Sequence, residues 1–387
     1  MGVLILLVAF PAFAGAAPVK SSMEVGGWMP YWRAATSTKN VLPNLRNLTT
    51  VHPFSFTVSS DGTLIDTLDI TEEPWATFLT EARRQQVRVI PTIVWADGEE
   101  IHRVLSDLDS RGELVEDIVD LVETHGFDGI DIDFESKLAE TKDDYSAFLR
   151  ELYREMGNKW VYCTIESRTP LSSRYDTIPA NIEYANDYKE INKYCDRVQI
   201  MAYDQGTIDL KLSRAAAGPY VPVSDTRWVE KVVREALKTI SKNKLIIGIP
   251  TYGYEYQVAP LSASSYQYSR MWSFNPNYAL DIAKKLGLTP TRNSAGELQV
   301  LYLPQMLGSS KPTNDATSSN LGVPATALSN VATAPALRTS FNLMTWSDAT
   351  SISQKIALAK KLGVRGVAVF KFDGAQDPLI WNVLAGN

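Results

Sequence analysis

Eight short apolar runs recur along the 387-residue chain, and stretches with helical periodicity separate most of them. Runs of β-branched and aromatic residues predict strands, whereas apolar residues spaced three or four apart predict amphipathic helices. The predicted strands lie at 25–32, 48–59, 87–95, 127–135, 160–165, 196–204, 244–253 and 366–372. Eight such units in alternation predict an α/β fold, a (β/α)8 TIM barrel. No glycine-rich phosphate loop follows the first run, which disfavours a doubly wound sheet.

One long interval, 255–340, interrupts this alternation. It contains a helical stretch at 278–287, a strand-like run at 298–303, and a Ser/Thr/Ala/Pro-rich segment at 309–335. Long connections inside compact proteins are usually functional or mobile. We predict a small α+β insertion domain at 255–340, between the seventh and eighth strands of a barrel formed by 25–254 and 341–387.

The charge balance limits the kind of partner. The formal net charge is -6, whereas nucleic-acid binding needs a concentrated basic surface. A neutral or weakly charged ligand therefore fits better than a nucleic acid. The chain has 9 Trp, 17 Tyr and 12 Phe, and these supply flat apolar faces on which sugars stack, although most of them are expected to be core.

The first residues resemble an export signal. Residues 3–17 are apolar and offer small-x-small cleavage patterns at 12–14 and 14–16, so we predict a signal peptide at 1–16. The run is too short to span a bilayer comfortably. We expect a secreted, cell-envelope or periplasmic monomer with no stable membrane insertion. The two cysteines, Cys163 and Cys195, either form a disulfide or remain separate buried thiols.

The segment FDGIDIDFE, at 127–135, alternates carboxylates with apolar side chains. Alternate residues of a strand share a face, so Asp131, Asp133 and Glu135 point into the barrel while the intervening residues face the helices. Asp128 breaks the alternation, and Gly129 would permit a kink that lets it join the others. Glu135 falls at the carboxyl end of the strand, where barrel enzymes place reactive groups.

Three interpretations of these carboxylates compete. The interleaved Ile and Phe argue against a solvated acidic face. A magnesium or calcium site is a serious alternative. An EF-hand-type loop, however, needs a glycine at its sixth position and polar spacers, and this segment has neither. Acid catalysis of glycosidic cleavage is the third, because like charges in a dry interior raise at least one pKa and leave a competent proton donor. We expect no metal and no cofactor.

Several segments together resemble glycoside hydrolase family 18, which includes chitinases, endo-N-acetylglucosaminidases and spore-cortex-lytic enzymes. The acidic positions read Asp128-x-x-Asp131-x-Asp133-x-Glu135, and they are followed in order by MAYD at 201–204 and GIPTYGY at 248–254. FSF at 54–56 and the tail from 346 to 381 are also similar to that family. The resemblance covers nearly the whole chain after the predicted signal peptide, with 255–340 similar to the family's insertion domain.

The resemblance implies substrate-assisted catalysis with retention of configuration. Glu135 would protonate the glycosidic oxygen and later act as base toward water, while the substrate's acetamido oxygen attacks the anomeric carbon. Asp133 would orient the acetamido N–H, with Asp131 behind it as proton partner and Asp128 as outer support. The resemblance places Tyr203 on the acetamido oxygen. It places Asp204 and Met201 at the cleaved sugar, although a core position for Met201 and a turn or cap for Asp204 remain open.

Aromatic residues near strand ends are candidates for sugar contacts. The resemblance implies that Trp28, Phe54, Phe56 and Trp95 line the cleft, and each of them could instead be barrel core. On the last strand the family usually carries a tryptophan under the cleaved sugar, but the alignment places Phe370 there. Phe keeps a stacking face and loses both area and the indole N–H donor.

The sequence therefore predicts an exported retaining glycoside hydrolase that cleaves β-1,4 bonds of N-acetylglucosamine-containing glycans, either chitin-type oligosaccharides or peptidoglycan. Phe370 motivates one alternative, a catalytically weak, lectin-like carbohydrate-binding protein of the same fold. A metal-dependent barrel enzyme is the third hypothesis.

Overall fold

The computed structural model describes residues 23–262, 264–307 and 339–386. The predicted signal peptide and the Ser/Thr/Ala/Pro-rich segment at 309–335 lie outside the described residues. Within them the strands are β1 Glu24–Pro30, β2 Thr50–Val58, β3 Leu64–Asp66, β4 Arg88–Val89, β5 Thr92–Trp95, β6 Gly129–Phe134, β7 Trp160–Glu166, β8 Arg197–Met201, β9 Leu245–Pro250, β10 Gly253–Ser262, β11 Ser265–Phe274, β12 Thr291–Arg292, β13 Leu298–Tyr302, β14 Phe341–Trp346 and β15 Gly366–Phe370.

Eight of these strands close into a parallel barrel. The order around it is β1, β15, β9, β8, β7, β6, β5, β2, and β2 pairs back with β1. The predicted (β/α)8 TIM barrel is therefore confirmed. The short strand β3 pairs antiparallel with β2 at the rim.

Helices fill the connections between strands. They are α1 Ala34–Val41, α2 Trp75–Arg84, α3 Gly98–Ser106, α4 Leu108–Thr124, α5 Lys142–Glu155, α6 Leu171–Arg174, α7 Tyr188–Tyr194, α8 Leu210–Ala215, α9 Thr226–Ala236, α10 Pro276–Lys285, α11 Ala349–Leu362 and α12 Ile380–Ala385. Several begin after an aspartate whose carboxylate accepts a backbone N–H of the first turn, as Asp97, Asp107 and Asp348 do. Such caps satisfy N–H groups that have no partner inside the helix.

The main hydrophobic core lies between the barrel and its helices. The apolar residues of β6, Ile130, Ile132 and Phe134, are fully buried in it, and the Phe134 ring stacks on Phe148 of α5 with centroids 5.5 Å apart. A smaller core fills the barrel interior. The outward-facing half of the predicted alternation is thereby confirmed, because the barrel keeps the two faces of each strand in different layers.

The insertion forms a second, antiparallel sheet with the order β11, β10, β14, β13, β12. One face packs Tyr254 and Tyr256 against Tyr203 of the barrel, and the other is covered by α10. The strand β14, which the sequence analysis placed in the second barrel segment, pairs with β10 and β13. The sheet therefore extends over 253–346 rather than 255–340, because a short buried strand carries no signal of which sheet it joins.

The two cysteines form a disulfide that joins Cys163 on β7 to Cys195, two residues before β8. Cys163 and Cys195 have Cα atoms 5.9 Å apart and enclose a separation of 32 residues. Of the two alternatives left open by the sequence, pairing is the one observed. Across the described ranges no helix has the length and apolar character needed to cross a membrane.

The amino-terminal end of the barrel is closed by a cluster around Glu24. Its carboxylate accepts hydrogen bonds from Arg197 at 2.8 Å and Arg365 at 2.7 Å, and Arg88 lies 3.0 Å away. Arg88 and Arg197 each lie 4.7 Å from the ring centroid of Trp160. These contacts join strands β1, β4, β7 and β8, and they hold the pKa of Glu24 at about 2 despite burial, which acts to raise it.

Candidate active site

Asp131 lies inside the barrel, as the alternation predicts, and is fully buried. Its Oδ2 accepts hydrogen bonds from Trp28 Nε1 at 3.1 Å and Thr92 Oγ1 at 2.8 Å, and its Oδ1 accepts one from Thr164 Oγ1 at 2.8 Å. Three strands besides its own therefore fix one carboxylate. With both oxygens occupied by protein donors, Asp131 supports its neighbours rather than contacting a ligand.

Asp133 is the next inward-facing residue, and its side chain is only 3% exposed. Its Oδ1 is buried without a hydrogen-bond partner among the described residues. Burial raises the pKa of Asp133 well above its usual range, and the charges of Glu135 and Asp131 add to the effect. A buried acceptor without a donor costs free energy, so this oxygen has the capacity to accept a hydrogen bond from a ligand.

Glu135 directly follows β6, and its backbone N–H donates to the Trp95 carbonyl at 2.7 Å. The side chain is half-buried. Burial raises the pKa of Glu135, the charges of Glu166 and Asp204 raise it further, and Lys137 opposes them. A carboxyl group with a raised pKa at the carboxyl end of a barrel strand has the position and the proton affinity of a general acid.

The loop after Glu135 is held by Lys137 and Glu166, neither of which was predicted from the sequence. Ser136 has a φ of 57°, and its N–H donates to Glu166 at 3.0 Å. Lys137 donates to the Phe134 carbonyl and lies 3.8 Å from Glu166. Glu166 ends β7, and that position at the carboxyl end of a predicted strand is the signal that could have found it.

Tyr203 and Phe370 form the aromatic part of the site. Their rings stack with centroids 5.6 Å apart and planes 20° apart. Burial raises the pKa of Tyr203 well above its usual range, with Asp133 as the next cause, so its hydroxyl remains a donor. Phe370 also lies 6.0 Å from Trp28 and 6.3 Å from Phe54, measured between ring centroids. It thus occupies the centre of the barrel mouth.

Asp204 follows Tyr203 in a left-handed conformation, with a φ of 59°. Its exposed carboxylate accepts hydrogen bonds from Tyr252 and from Tyr254, the latter at 2.8 Å. Met201, which ends β8, is half-buried and packs with the cluster that contains Tyr203. Tyr252 and Tyr254 belong to the segment GIPTYGY, and their hydrogen bonds to Asp204 were not predicted from the sequence.

A cavity of about 400 Å³ opens between the barrel mouth and the insertion sheet. Asp204, Tyr252 and Phe370 line its barrel side together with Trp32 and Lys371, and Tyr254 and residues 273–275 line the side of the insertion sheet. Trp32 is 46% exposed and was not among the predicted contacts. Its indole offers a large aromatic face to a ligand at this rim.

Asp128 does not lie with the other carboxylates, contrary to expectation. It precedes β6, and its Oδ2 accepts the Val89 N–H at 2.7 Å. Asp128 and Glu135 flank the six residues of β6, so seven steps of about 3.3 Å separate their Cα atoms by roughly 23 Å. Gly129 makes no kink, because it is the first residue of the regular strand β6. A glycine is needed there for a different reason: an added Cβ would lie 2.1 Å from the carbonyl oxygen of Trp160.

Two of the four candidate aromatic residues, Phe56 and Trp95, lie in the outer core, and a third, Trp28, is buried in the interior cluster beside Phe370. Trp28 is 1% exposed and donates to Asp131 from within the barrel. Trp95 is 3% exposed and packs on Phe134 in the outer core. Phe56 is 2% exposed and contacts Phe127, because a β-bulge between Phe54 and Phe56 turns it to the helical side. Phe54, which is 9% exposed, borders Trp32 and Phe370 at the mouth.

The metal-site hypothesis gains no support from the geometry. No group of three or more His, Cys, Asp or Glu side chains is arranged to hold a metal ion in the ranges 23–262, 264–307 and 339–386. The oxygens of Asp131, the most buried member of the acidic strand, are occupied by three protein donors.

Fold and site together define a (β/α)8 barrel protein with a file of carboxylates along β6 that ends at an aromatic mouth. The sequence model of Glycosyl hydrolases family 18 matches residues 27–375. The chain therefore belongs to this family, and the resemblance drawn from its motifs is confirmed.

Individual relatives agree with the family assignment. YvbX of Bacillus subtilis, described as an uncharacterized glycosylase, is 29% identical over 208 residues, which cover 54% of this chain and 55% of YvbX. The alignment thus spans about half the length of that relative. The Bacillus cereus spore cortex-lytic enzyme SleL matches in structure with a TM-score of 0.69 at 20% identity, covering 94% of this chain and 74% of SleL. A class V chitinase of Pseudomonas fluorescens Pf-5 matches with a TM-score of 0.68 at 22% identity, covering 94% and 99%. At these identities the two structural likenesses concern the fold.

Proposed function

We propose that the chain is an exported, retaining glycoside hydrolase that cleaves β-1,4 bonds of N-acetylglucosamine-containing glycans. One observation carries the proposal: Glu135, half-buried with a raised pKa, lies beside Asp133, whose buried Oδ1 has no donor among the described residues. Substrate-assisted cleavage requires a proton donor, here Glu135, and an acceptor for the acetamido N–H, here Asp133 Oδ1. The Tyr203 hydroxyl would supply the donor to the acetamido oxygen.

In the proposed reaction Glu135 gives its proton to the glycosidic oxygen as the bond to the anomeric carbon breaks. The substrate's acetamido oxygen attacks that carbon and forms an oxazolinium ion. Asp133 accepts the acetamido N–H through Oδ1, and the Tyr203 hydroxyl donates to the acetamido oxygen. Deprotonated Glu135 then takes a proton from water as the water opens the ring. Two displacements at one carbon retain its configuration.

The sugar being cleaved would occupy the barrel mouth. Phe370, stacked on Tyr203, would form its floor, while Asp204 and Met201 would border it on the β8 side. Neighbouring sugars would extend into the cavity below Trp32. Asp131 would keep Asp133 in place through the packing of the strand and its three donors.

Two glycans fit this site, because both chitin-type oligosaccharides and peptidoglycan present the required acetamido group. One structural relative is named a spore cortex-lytic enzyme and another a chitinase. The disulfide supports export, since such bonds persist mainly in oxidising compartments. We expect the enzyme to act as a monomer.

The test is product analysis on chitin oligosaccharides and on peptidoglycan side by side. We expect the wild type to cleave at least one of them with retention, and Glu135→Gln to lose at least about 10³-fold in kcat, since an amide cannot donate the proton. Glu140→Gln is a matched control, because that side chain is 69% exposed. Full turnover by folded Glu135→Gln would contradict the proposal.

A catalytically weak carbohydrate-binding protein is the second candidate, favoured by Phe370 in the position where the resemblance implies tryptophan. It predicts that the wild type and Glu135→Gln bind an oligosaccharide equally and that neither releases product. Calorimetric binding beside the product analysis separates the two candidates.

A further inference from the structure

Lys137 lies two residues after Glu135, and its side chain is only 1% exposed. We propose that Lys137, which is buried, and Glu166, which is partly exposed, form an ion pair that fixes the loop carrying Glu135 and sets the proton affinity of Glu135 through opposing charges. Both are positioning residues, because they act through Glu135 rather than on the reacting atoms. The inference deepens the proposed function and rests on it for its kinetic test.

The contacts of Lys137 hold it inside the loop. Its ammonium donates to the carbonyl of Phe134 and lies 4.6 Å from the ring centroid of Tyr145 on α5. Glu166 Oε2 is 3.8 Å away. Burying a lysine is costly unless a carboxylate and hydrogen bonds offset it. Burial lowers the pKa of Lys137, and Glu166, Asp133 and Glu135 oppose that effect.

Glu166 connects the same loop to the next strand. Its Oε1 accepts the Ser136 N–H at 3.0 Å, and its Oε2 accepts Asn186 Nδ2 at 2.7 Å. The backbone carbonyl of Asn186 accepts a hydrogen bond from Arg168 Nη2 at 2.9 Å. Glu166 is thereby held from two sides against the loop that carries Glu135.

Several titratable or charged groups act on the carboxylates of the site from the surrounding elements. They are Asp131 and Asp133 on β6, Lys137 on the following loop, Tyr145 on α5, Glu166 on β7, and Tyr203 and Asp204 after β8. Lys137 is the cation among these groups and lowers the pKa of Glu135, whereas the charges of Glu166 and Asp204 raise it. Removing Lys137 should therefore raise the proton affinity of Glu135, whereas neutralising Glu166 should lower it.

Opposing charges suit a group with two roles. Glu135 must hold a proton to release the leaving group and must have lost it to activate water. Without Lys137 the carboxylates would favour the protonated form, and without the charge of Glu166 the deprotonated form would gain. The pair keeps both forms accessible.

The experiment measures pH profiles of kcat/KM for the wild type, Lys137→Met and Glu166→Gln. We expect the alkaline limb to move up by about one pH unit in Lys137→Met and down by a similar amount in Glu166→Gln. Lys142→Met is the matched control, since Lys142 lies on the same connection and is 47% exposed; its profile should be unchanged. Lys137→Arg keeps the charge and should restore the wild-type limb.

A titration that needs no turnover separates this inference from the proposed function. ¹³C NMR of labelled glutamate side chains, with Glu135→Gln identifying the resonance, follows the protonation of Glu135 directly. Opposite displacements in the two variants support the inference even if no glycan is cleaved. Unchanged midpoints, or displacements of the same sign, overturn it. If Lys137→Met fails to fold, the midpoint in Glu166→Gln still decides.

Discussion

The ring of Phe370 stacks on the ring of Tyr203, with centroids 5.6 Å apart and planes 20° apart. The last strand of the barrel thereby contacts the segment just after β8, and the proposed floor of the mouth packs directly on the proposed acetamido donor. A change in either ring should affect sugar binding and catalysis differently.

The floor residue should control affinity. Phe370→Ala removes the stacking face, and since an aromatic contact is worth about 1 kcal/mol, KM for a chitin oligosaccharide should rise roughly fivefold with a smaller change in kcat. Phe370→Leu, which keeps volume without a ring, is the matched comparison. Equal KM values for Phe370→Ala and wild type would show that no sugar stacks there.

The hydroxyl of Tyr203 should control the chemical step. Tyr203→Phe keeps the stacking on Phe370 and removes the donor to the acetamido oxygen, so we expect kcat to fall about 10²-fold with little change in KM. Tyr194→Phe, on α7 outside the site, serves as control. Steady-state kinetics make the measurement, and a loss confined to KM would contradict the assigned role.

The Glu24 cluster should make stability depend on pH. Its pKa of about 2 lies below the ordinary 4.5, so its contribution is complete above about pH 4.5 and is lost as the pH falls toward 2. The shift corresponds to about 3 kcal/mol at neutral pH. Glu24→Gln should lose about this much in urea unfolding at pH 7.

The same measurement at pH 3 should show a smaller difference between Glu24→Gln and wild type. Glu81→Gln is the control, since Glu81 forms an exposed pair with Arg84 and exposed pairs contribute little. A difference that stays constant from pH 7 to pH 3 would mean that packing, rather than charge, holds this end of the barrel.

The disulfide should stabilise the barrel. Cys163 and Cys195 enclose a separation of 32 residues, and closing a loop of this size contributes about 2–4 kcal/mol. Dithiothreitol should lower the Tm of the wild type measured by calorimetry, whereas the Cys163→Ala/Cys195→Ala double variant should melt at the lower temperature with or without reductant. Identical Tm values for all four samples would show that the bond is energetically neutral.

The sequence by itself determined the eight strands of the barrel, the presence of an insertion and the family. It also determined which side chains of β6 face inward, because a strand has a period of two and the apolar residues must enter the outer core. The period of two alone predicts that Asp131, Asp133 and Glu135 share one face, whereas Tyr203, Asp204 and Phe370 became candidates through the motif resemblance.

Tertiary structure alone decided the rest. Asp128 and Glu135 share one short segment, yet the extended strand β6 places them at its opposite ends. A single bulge turned Phe56 away from the mouth, and β14 joined the insertion sheet. Trp32 rather than Trp28 is exposed, because the interior of the barrel closes over Trp28. Lys137 and Glu166 are 29 residues apart, and only the register of β6 with β7 brings them together. Local periodicity sets which way a side chain points, but strand pairing and closure set what it meets.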